Sequence, residues 1–233
     1  MARFLVCVIT NAMINALIFD FDGLIFDSET ADFQSWQETF DFFGADLPFD
    51  TWAAQIGSAN HFNPYVFLEQ QLGHPVNRNE VHARRKKRDN ELLAQQDIMP
   101  GVEAYLAEAK ALGMHVGLAS SSPHRWVDPL LEKLGLTHWF KTVRCRDDVG
   151  DKPKPEPDVY LAAMSALGVQ PTESMALEDS PNGVLAAKRA GMWVTAVPNQ
   201  ITRTLNFDQA DVKLASMTDM SLSQLINEVL NEK

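Results

Sequence analysis

The chain of 233 residues is long enough to bury a sizeable hydrophobic core, in one large domain or in a domain with an insertion. Its 20 basic and 31 acidic side chains give a formal net charge of −11, which disfavours nucleic acid or an anionic membrane surface as a partner and favours a small-molecule substrate. Only two cysteines are present, so a disulfide framework and a zinc cluster are disfavoured and a cytoplasmic location is expected.

Residues 1–13 precede the first strong strand signal, and we interpret them as an N-terminal extension. The apolar run over residues 4–9 is too short to span a bilayer and short even for the core of a secretory signal. Three interpretations stay open, namely an upstream addition, an extra β-strand or a disordered tail.

Two acidic residues end the first predicted strand. The apolar run over residues 14–19 predicts a buried parallel strand, and Asp20-Phe21-Asp22-Gly23 follows it directly. In an extended chain residues i and i+2 point to the same side, so Asp20 and Asp22 can address one small volume. Taken alone, this string is also typical of a simple turn.

A helical block follows. Phe33, Trp36, Phe40 and Phe43 recur at three- and four-residue steps, which predicts one apolar helix face that is buried in a core. Further helices are predicted at about residues 63–72 and 78–95, and no strand interrupts them. We therefore predict an all-helical cap domain over residues 32–98, inserted into a core domain formed by residues 14–31 and 99–233.

Strands and helices alternate in the second half of the chain. The predicted strands cover about residues 114–119, 140–143, 175–177 and 193–197, and the predicted helices cover about residues 102–112, 125–134, 157–167, 182–190 and 222–230. This alternation predicts the α/β class with a doubly wound parallel sheet. The active site is then expected beyond the carboxyl ends of the strands.

Three further polar segments lie in loops at this predicted edge. They are Ser120-Ser121-Ser122 after the second strand, Lys152-Pro153-Lys154-Pro155 before a helix, and Glu178-Asp179-Ser180 after a short apolar strand. Hydroxyls and free backbone N–H groups can bind an anion, prolines fix where neighbouring lysines point, and paired acids can bind a hard cation. Singly, each segment is also typical of a turn or the start of a helix.

Together the four segments supply the groups needed for Mg²⁺-assisted phosphoryl transfer. Asp20, Glu178 and Asp179 provide carboxylate oxygens, the ligands that Mg²⁺ prefers, and Asp22 is a spare carboxylate near the reacting centre. A small-molecule phosphate ester is the expected substrate. The groups expected to bind its phosphate are Ser120, Ser121 and Lys154.

Over about residues 14–200 the sequence resembles the haloacid dehalogenase superfamily, within it the phosphatases and β-phosphoglucomutase-like members with a helical cap inserted after the first motif. DFDGLIFDSE resembles the first motif, LASSS the second, KPEPD the third and LEDS the fourth. Dehalogenases of this superfamily lack the second aspartate of the first motif, so Asp22 points to phosphate chemistry.

The resemblance implies a role for each matched residue. Asp20 is the nucleophile that forms an aspartyl phosphate, and Asp22 is the acid and base, with its backbone carbonyl on the metal. The other implied roles are phosphate binding by Ser120, charge balance by Lys154, and Mg²⁺ ligation by Glu178 and Asp179. The implied activity is Mg²⁺-dependent hydrolysis of a small phosphorylated metabolite such as a sugar phosphate.

A sugar phosphomutase is the main alternative, because hydrolysis and transfer share these residues. β-Phosphoglucomutases carry a histidine in the helix after the first motif and an arginine in a cap loop, whereas this sequence has Asp32 and about Asn60 at those places. Both departures weaken the mutase interpretation. The basic run over residues 84–88 could bind a second phosphate, but five consecutive positions cannot all face one cleft, so an exposed helix face is favoured.

Two further classes of protein share parts of this pattern. A non-catalytic binding protein would be favoured by loss of the motif acids or of Lys154, and all of these are present. A phosphonate hydrolase needs a cap lysine with a depressed pKa, for which Lys86 and Lys87 are the candidates. A monomer is favoured, although no sequence feature fixes the oligomeric state. Weaker candidates for substrate specificity are Trp52, His61 and Phe62.

Overall fold

The sheet places the first predicted motif at its centre. The computed structural model describes residues 13–53, 62–150 and 152–231, and in them six parallel strands form one sheet with the order β3-β2-β1-β4-β5-β6. The strands are β1 (Ala16–Phe19), β2 (His115–Ala119), β3 (Thr142–Arg144), β4 (Ser174–Glu178), β5 (Trp193–Ala196) and β6 (Val212–Lys213). The strand order reverses at β1, and a crevice opens beyond the carboxyl ends of strands at such a point. Asp20 follows β1 directly, so it lies at this crevice.

Helices cover both faces of the sheet. The nine α-helices of the described part are α1 (Ser28–Phe42), α2 (Phe49–Ala53), α3 (Pro64–Leu72), α4 (Arg78–Leu93), α5 (Val102–Ala111), α6 (His124–Lys133), α7 (Asp158–Leu167), α8 (Pro181–Arg189) and α9 (Leu222–Asn231). Leu17 and Phe19 of β1 pack against α5, α6 and α9, whereas Ala16 and Ile18 pack against α7 and α8. This alternation along one strand confirms the predicted doubly wound α/β core.

The inserted helices have a core of their own. Phe33, Trp36 and Phe40 of α1 are buried, as their spacing predicted. They pack in one cluster with Leu47, Trp52, Leu68 and Val81. The fold therefore contains the predicted helical cap, in which the buried Trp52 packs against the partly buried Phe62. The cap boundaries at residues 32 and 98 stay a prediction.

Helix α1 leads directly from the first motif into the cap. It begins at Ser28, ahead of the change of period at Ala31, because Asp27 caps it by accepting a hydrogen bond from the Thr30 N–H over 3.0 Å. The return connection runs beside this start, since Phe26 bridges to Ile98. Both links between cap and sheet therefore lie next to the crevice.

Several elements differ from the sequence prediction. β3 begins at Thr142 rather than at residue 140, because Phe140 closes a short 3₁₀-helix over Thr137–Trp139. Its ring meets Phe19 edge to face at 6.1 Å. α2 and β6 were not predicted, since five and two residues are too short to establish a period. No helix in the described residues has the length and apolar character needed to cross a membrane. The proposed extension lies, except for Met13, outside the described residues, as do Asn60 and His61.

Candidate active site

A small polar cavity of about 140 Å³ lies beyond the carboxyl ends of β1, β2 and β4. Its lining residues are Asp20, Asp22, Glu29, Ser120, Ser121, Lys154, Asp179, Ser180 and Asn182. All the predicted site residues except Glu178 are among them, and Glu178 lies directly beneath, fully buried. Folding thus brings together four segments that are far apart in the sequence.

Lys154 joins two of the predicted acids. Its Nζ lies 2.5 Å from Oδ1 of Asp20 and 2.6 Å from Oε1 of Glu178, and all three side chains are almost inaccessible to solvent. The lysine is placed by a bond from its backbone N–H to Oγ of Ser121 over 3.1 Å. Burial opposes the charge of Lys154, but the carboxylates of Asp20 and Glu178 outweigh that effect and raise its pKa, so the amine stays protonated.

Three buried carboxylates form a candidate metal site. One oxygen each from Asp20, Glu178 and Asp179 can be chosen so that the three lie within 4.8 Å of one another. These hard oxygen donors match the ligand preference of Mg²⁺, and Lys154 occupies only Oδ1 of Asp20 and Oε1 of Glu178. Three acids face one ammonium group, so a divalent cation would balance the excess charge. The residues present therefore fit Mg²⁺.

Burial is the main influence on the titration of these acids. Burial raises the pKa of Asp20 to about 7, with Lys154 opposing the shift and Glu178 adding to it. Burial, reinforced by Asp20 and Glu178, also raises the pKa of Asp179 well above its ordinary value. Lys154 alone therefore does not offset the cost of burying these carboxylates in their charged form.

Asp22 is held by hydrogen bonds from three different segments. Oδ1 accepts from Ser28 Oγ and from Trp126 Nε1, both over 2.8 Å. Oδ2 accepts from Ser122 Oγ over 2.6 Å, whereas Ser120 Oγ lies at 3.5 Å. The carboxylate is thus fixed between the start of α1 and the start of α6, at the mouth of the cavity.

Asn199 links the first and the fourth segments. Its buried amide donates to Oδ2 of Asp179 over 2.7 Å and to the carbonyl oxygen of Gly23 over 3.2 Å. Gly23 has a left-handed backbone with φ of +78°, and a Cβ at this position would lie 2.2 Å from Oδ2 of Asp179. Only glycine fits this close approach.

A second, wider cleft of about 420 Å³ continues from Asp22 toward the cap. Among its lining residues are Asp32, Arg85, Lys86 and Arg125. Arg85 forms an ion pair with Asp32, and Lys86 pairs with Asp89. The other basic residues of the run point elsewhere, with Arg84 stacked on Phe42 and Arg88 paired with Glu38. Two positions of the run therefore reach the cleft, in agreement with helical geometry.

Sequence reasoning missed several residues of this site. Ser122 belongs to the predicted serine segment, but its hydrogen bond to Asp22 was not predicted. Tyr160, which donates to Oε1 of Glu178 over 2.5 Å, comes from α7 and has no local signal. The other missed residues are Ser28, Glu29, Trp126 and Asn199.

Comparison with known proteins places this geometry in a family. The sequence model of the haloacid dehalogenase-like hydrolase family matches residues 14–191. The protein YhcW of Bacillus subtilis (strain 168) is 46% identical over 217 residues, which cover 93% of this chain and 98% of YhcW. Hexitol phosphatase B of Escherichia coli (strain K12) is 33% identical over 225 residues, covering 93% of this chain and 99% of that protein.

The fold of this chain is also similar to that of a solved structure. A mutant of CbbY from Rhodobacter sphaeroides in complex with xylulose-(1,5)bisphosphate has a TM-score of 0.72 and 28% sequence identity, covering 91% of this chain and 99% of CbbY. The helical insert, the four motifs and strands β1 to β4 lie within the residues that the family model matches. The chain therefore belongs to the haloacid dehalogenase-like hydrolases, as its motifs predicted.

Proposed function

We propose that the protein is a Mg²⁺-dependent phosphatase that hydrolyses a small sugar phosphate through an aspartyl phosphate on Asp20. The observation that carries this proposal is the contact of Lys154 with Asp20 and Glu178 beside Asp179, at the base of the 140 Å³ cavity. A protonated amine and a cation site around one carboxylate are the groups that phosphoryl transfer requires.

In the first step a carboxylate oxygen of Asp20 attacks phosphorus. The new O–P bond forms as the bond from phosphorus to the leaving oxygen breaks, and Asp22 gives its proton to that oxygen. Asp22 then takes a proton from a water molecule whose oxygen attacks phosphorus, which releases phosphate and restores Asp20. Lys154 offsets negative charge on the phosphoryl oxygens throughout.

The metal ligands in this proposal are the side chains of Asp20, Glu178 and Asp179 and the backbone carbonyl of Asp22. When bound there, Mg²⁺ would polarise the phosphoryl group and offset its charge. Ser120 and Ser121 line the cavity and are the proposed phosphate-binding hydroxyls.

The 420 Å³ cleft is the proposed site of the leaving group. Its volume lies within the range of small-molecule sites, and its charged and hydroxyl side chains suit a polyhydroxylated molecule. The names of hexitol phosphatase B and of the CbbY complex support a phosphorylated sugar or sugar alcohol. Arg85 lines this cleft, but Asp32 already compensates its charge. The cleft therefore suits an uncharged leaving group better than one that carries a second phosphate.

A panel of phosphorylated sugars and sugar alcohols, assayed for released phosphate with and without Mg²⁺, tests this function. The panel includes β-glucose 1-phosphate with a glucose 1,6-bisphosphate primer. We expect Mg²⁺-dependent phosphate release from at least one member. Conversion to glucose 6-phosphate without phosphate release would instead support the mutase, and no turnover of any member would support a binding protein.

A further inference from the structure

Asn199 lies beside the proposed metal site but outside all four motifs. It follows β5 in a loop, and only 6% of its surface is exposed. The two hydrogen bonds of its Nδ2 end on Asp179, a proposed metal ligand, and on the carbonyl of Gly23, which follows Asp22. One amide group therefore connects the two segments that would hold the cation.

The orientation of this amide is fixed from its other end. Oδ1 of Asn199 accepts hydrogen bonds from the backbone N–H groups of Ile201 over 2.8 Å and of Thr202 over 3.1 Å. Both partners are donors, so a flipped amide would place an NH₂ group against two N–H groups. The donating Nδ2 must then face Asp179.

We propose that Asn199 is a positioning residue for the metal centre, whose amide ties Oδ2 of Asp179 and leaves Oδ1 as the oxygen available to the cation. This inference rests on the proposed function, because it assigns a role toward the same cation. The bond is charge-assisted and buried, so it restricts the Asp179 carboxylate more strongly than a solvent-exposed bond would. The second bond, to Gly23, keeps the turn after Asp22 against the same carboxylate.

Asn199→Ser isolates this contact from the loop geometry. A serine hydroxyl can still accept from backbone N–H groups two and three residues ahead, but it is too short to reach Asp179. Asn199 also lines a surface cavity of about 710 Å³, so water can enter the space that the shorter side chain leaves. Asn199→Thr fills more of this space and likewise lacks the amide.

Asn206 offers a matched control. Its Oδ1 accepts from the backbone N–H of Asp208 over 2.7 Å, and its Nδ2 donates to the Asp208 carboxylate over 2.9 Å. This is the same pattern of a loop bond plus an amide-to-carboxylate bond, but it lies on the exposed surface. Asn206→Ser therefore makes the same chemical change away from the metal site.

The test is calorimetric titration of the full-length proteins with Mg²⁺ alone, together with the Mg²⁺ dependence of phosphate release. In Asn199→Ser and Asn199→Thr we expect the Kd for Mg²⁺ to rise about ten- to hundredfold, the range for loss of a hydrogen bond to a charged group. The Mg²⁺ concentration for half-maximal activity should rise in parallel while kcat at saturating Mg²⁺ recovers. Asn206→Ser should match the unsubstituted protein.

The outcomes separate this inference from the function on which it rests. A Kd in Asn199→Ser and Asn199→Thr equal to that of the unsubstituted protein overturns the role of Asn199 and leaves the metal site standing. A loss of kcat that saturating Mg²⁺ does not restore also overturns it, because positioning of the cation would not be the cause. Absence of Mg²⁺ binding by the unsubstituted protein overturns the metal site and the inference together.

Discussion

The indole N–H of Trp126 donates a hydrogen bond to the carboxylate of Asp22 over 2.8 Å. Trp126 lies in the first turn of α6, four residues after Ser122, so one loop and helix start supply two of the three donors that lie within 2.8 Å of this carboxylate. The third donor, Ser28, lies at the start of α1. Asp22 is therefore oriented jointly by the core and by the helix that leads into the cap.

Trp126→Phe tests the importance of this orientation. The ring that packs on the core is largely kept, but one donor to the proposed acid and base is lost. We expect kcat/KM to fall about tenfold, which corresponds to about 1.4 kcal/mol. Trp193→Phe, which removes an indole bond to the Thr172 carbonyl at the opposite end of the sheet, is the control and should leave kcat/KM unchanged. Equal rates in both variants would contradict a role for Trp126.

Gly23→Ala should disable the metal site. A Cβ at Gly23 would collide with Oδ2 of Asp179 and with the amide of Asn199. Gly113→Ala is the matched control, because its φ of +71° is equally left-handed but no atom lies within 4 Å of the added Cβ. The control should lose about 1–2 kcal/mol of unfolding free energy and keep its Mg²⁺ affinity. Gly23→Ala should lose at least tenfold in Mg²⁺ affinity, measured by calorimetry, and an unchanged affinity would contradict the proposed geometry.

Lys154→Met should remove activity and also destabilise the fold. Its amine compensates the buried carboxylates of Asp20 and Glu178, and loss of one partner from a buried ion pair costs about 3–5 kcal/mol. Urea denaturation at neutral pH measures this change in the free energy of unfolding. Lys152 lies in the same loop but forms an exposed ion pair with Asp158, so Lys152→Met should change neither the activity nor the free energy of unfolding appreciably. Equal stability of the two variants would show that Lys154 is not the compensating charge.

The titration of His124 should make the free energy of unfolding depend on pH. Burial alone would lower the pKa of His124, but its hydrogen bonds to Asp128 and Asp148 outweigh that effect and raise the pKa. A raised folded-state pKa gives stabilisation that is complete below about pH 6.5, the ordinary histidine value, and that is lost as the pH rises through the folded-state pKa. The difference in unfolding free energy between the unsubstituted protein and His124→Gln should therefore shrink from pH 6 to pH 9. A constant difference would mean that the imidazole is not charged in the fold.

The sequence predicted the parts of this molecule that depend on local pattern. Buried strands, amphipathic helices and the polar segments at strand ends follow from periodicity, and parallel pairing then brings Asp20 and Asp179 to one edge. The helical cap followed from the aromatic spacing of Phe33, Trp36 and Phe40, which are buried as expected.

What the sequence missed depends on contacts between distant segments. Asn199 is 20 residues from its partner Asp179, and Trp126 is 104 residues from Asp22. An asparagine in a loop and a tryptophan in an amphipathic helix have common structural explanations, so their residue types carry no signal for a site. Short elements such as β6 were missed because two residues cannot show a period.

The most direct test of the central proposal is the fate of the Asp20 carboxylate during turnover. The unsubstituted protein and Asp20→Asn are mixed with Mg²⁺ and the best substrate of the panel, quenched in acid and digested, and their peptides are weighed by mass spectrometry. We predict a phosphoryl adduct on the peptide that contains Asp20, and neither adduct nor phosphate release in Asp20→Asn, which keeps its fold by circular dichroism. Undiminished phosphate release by Asp20→Asn would contradict the proposed mechanism.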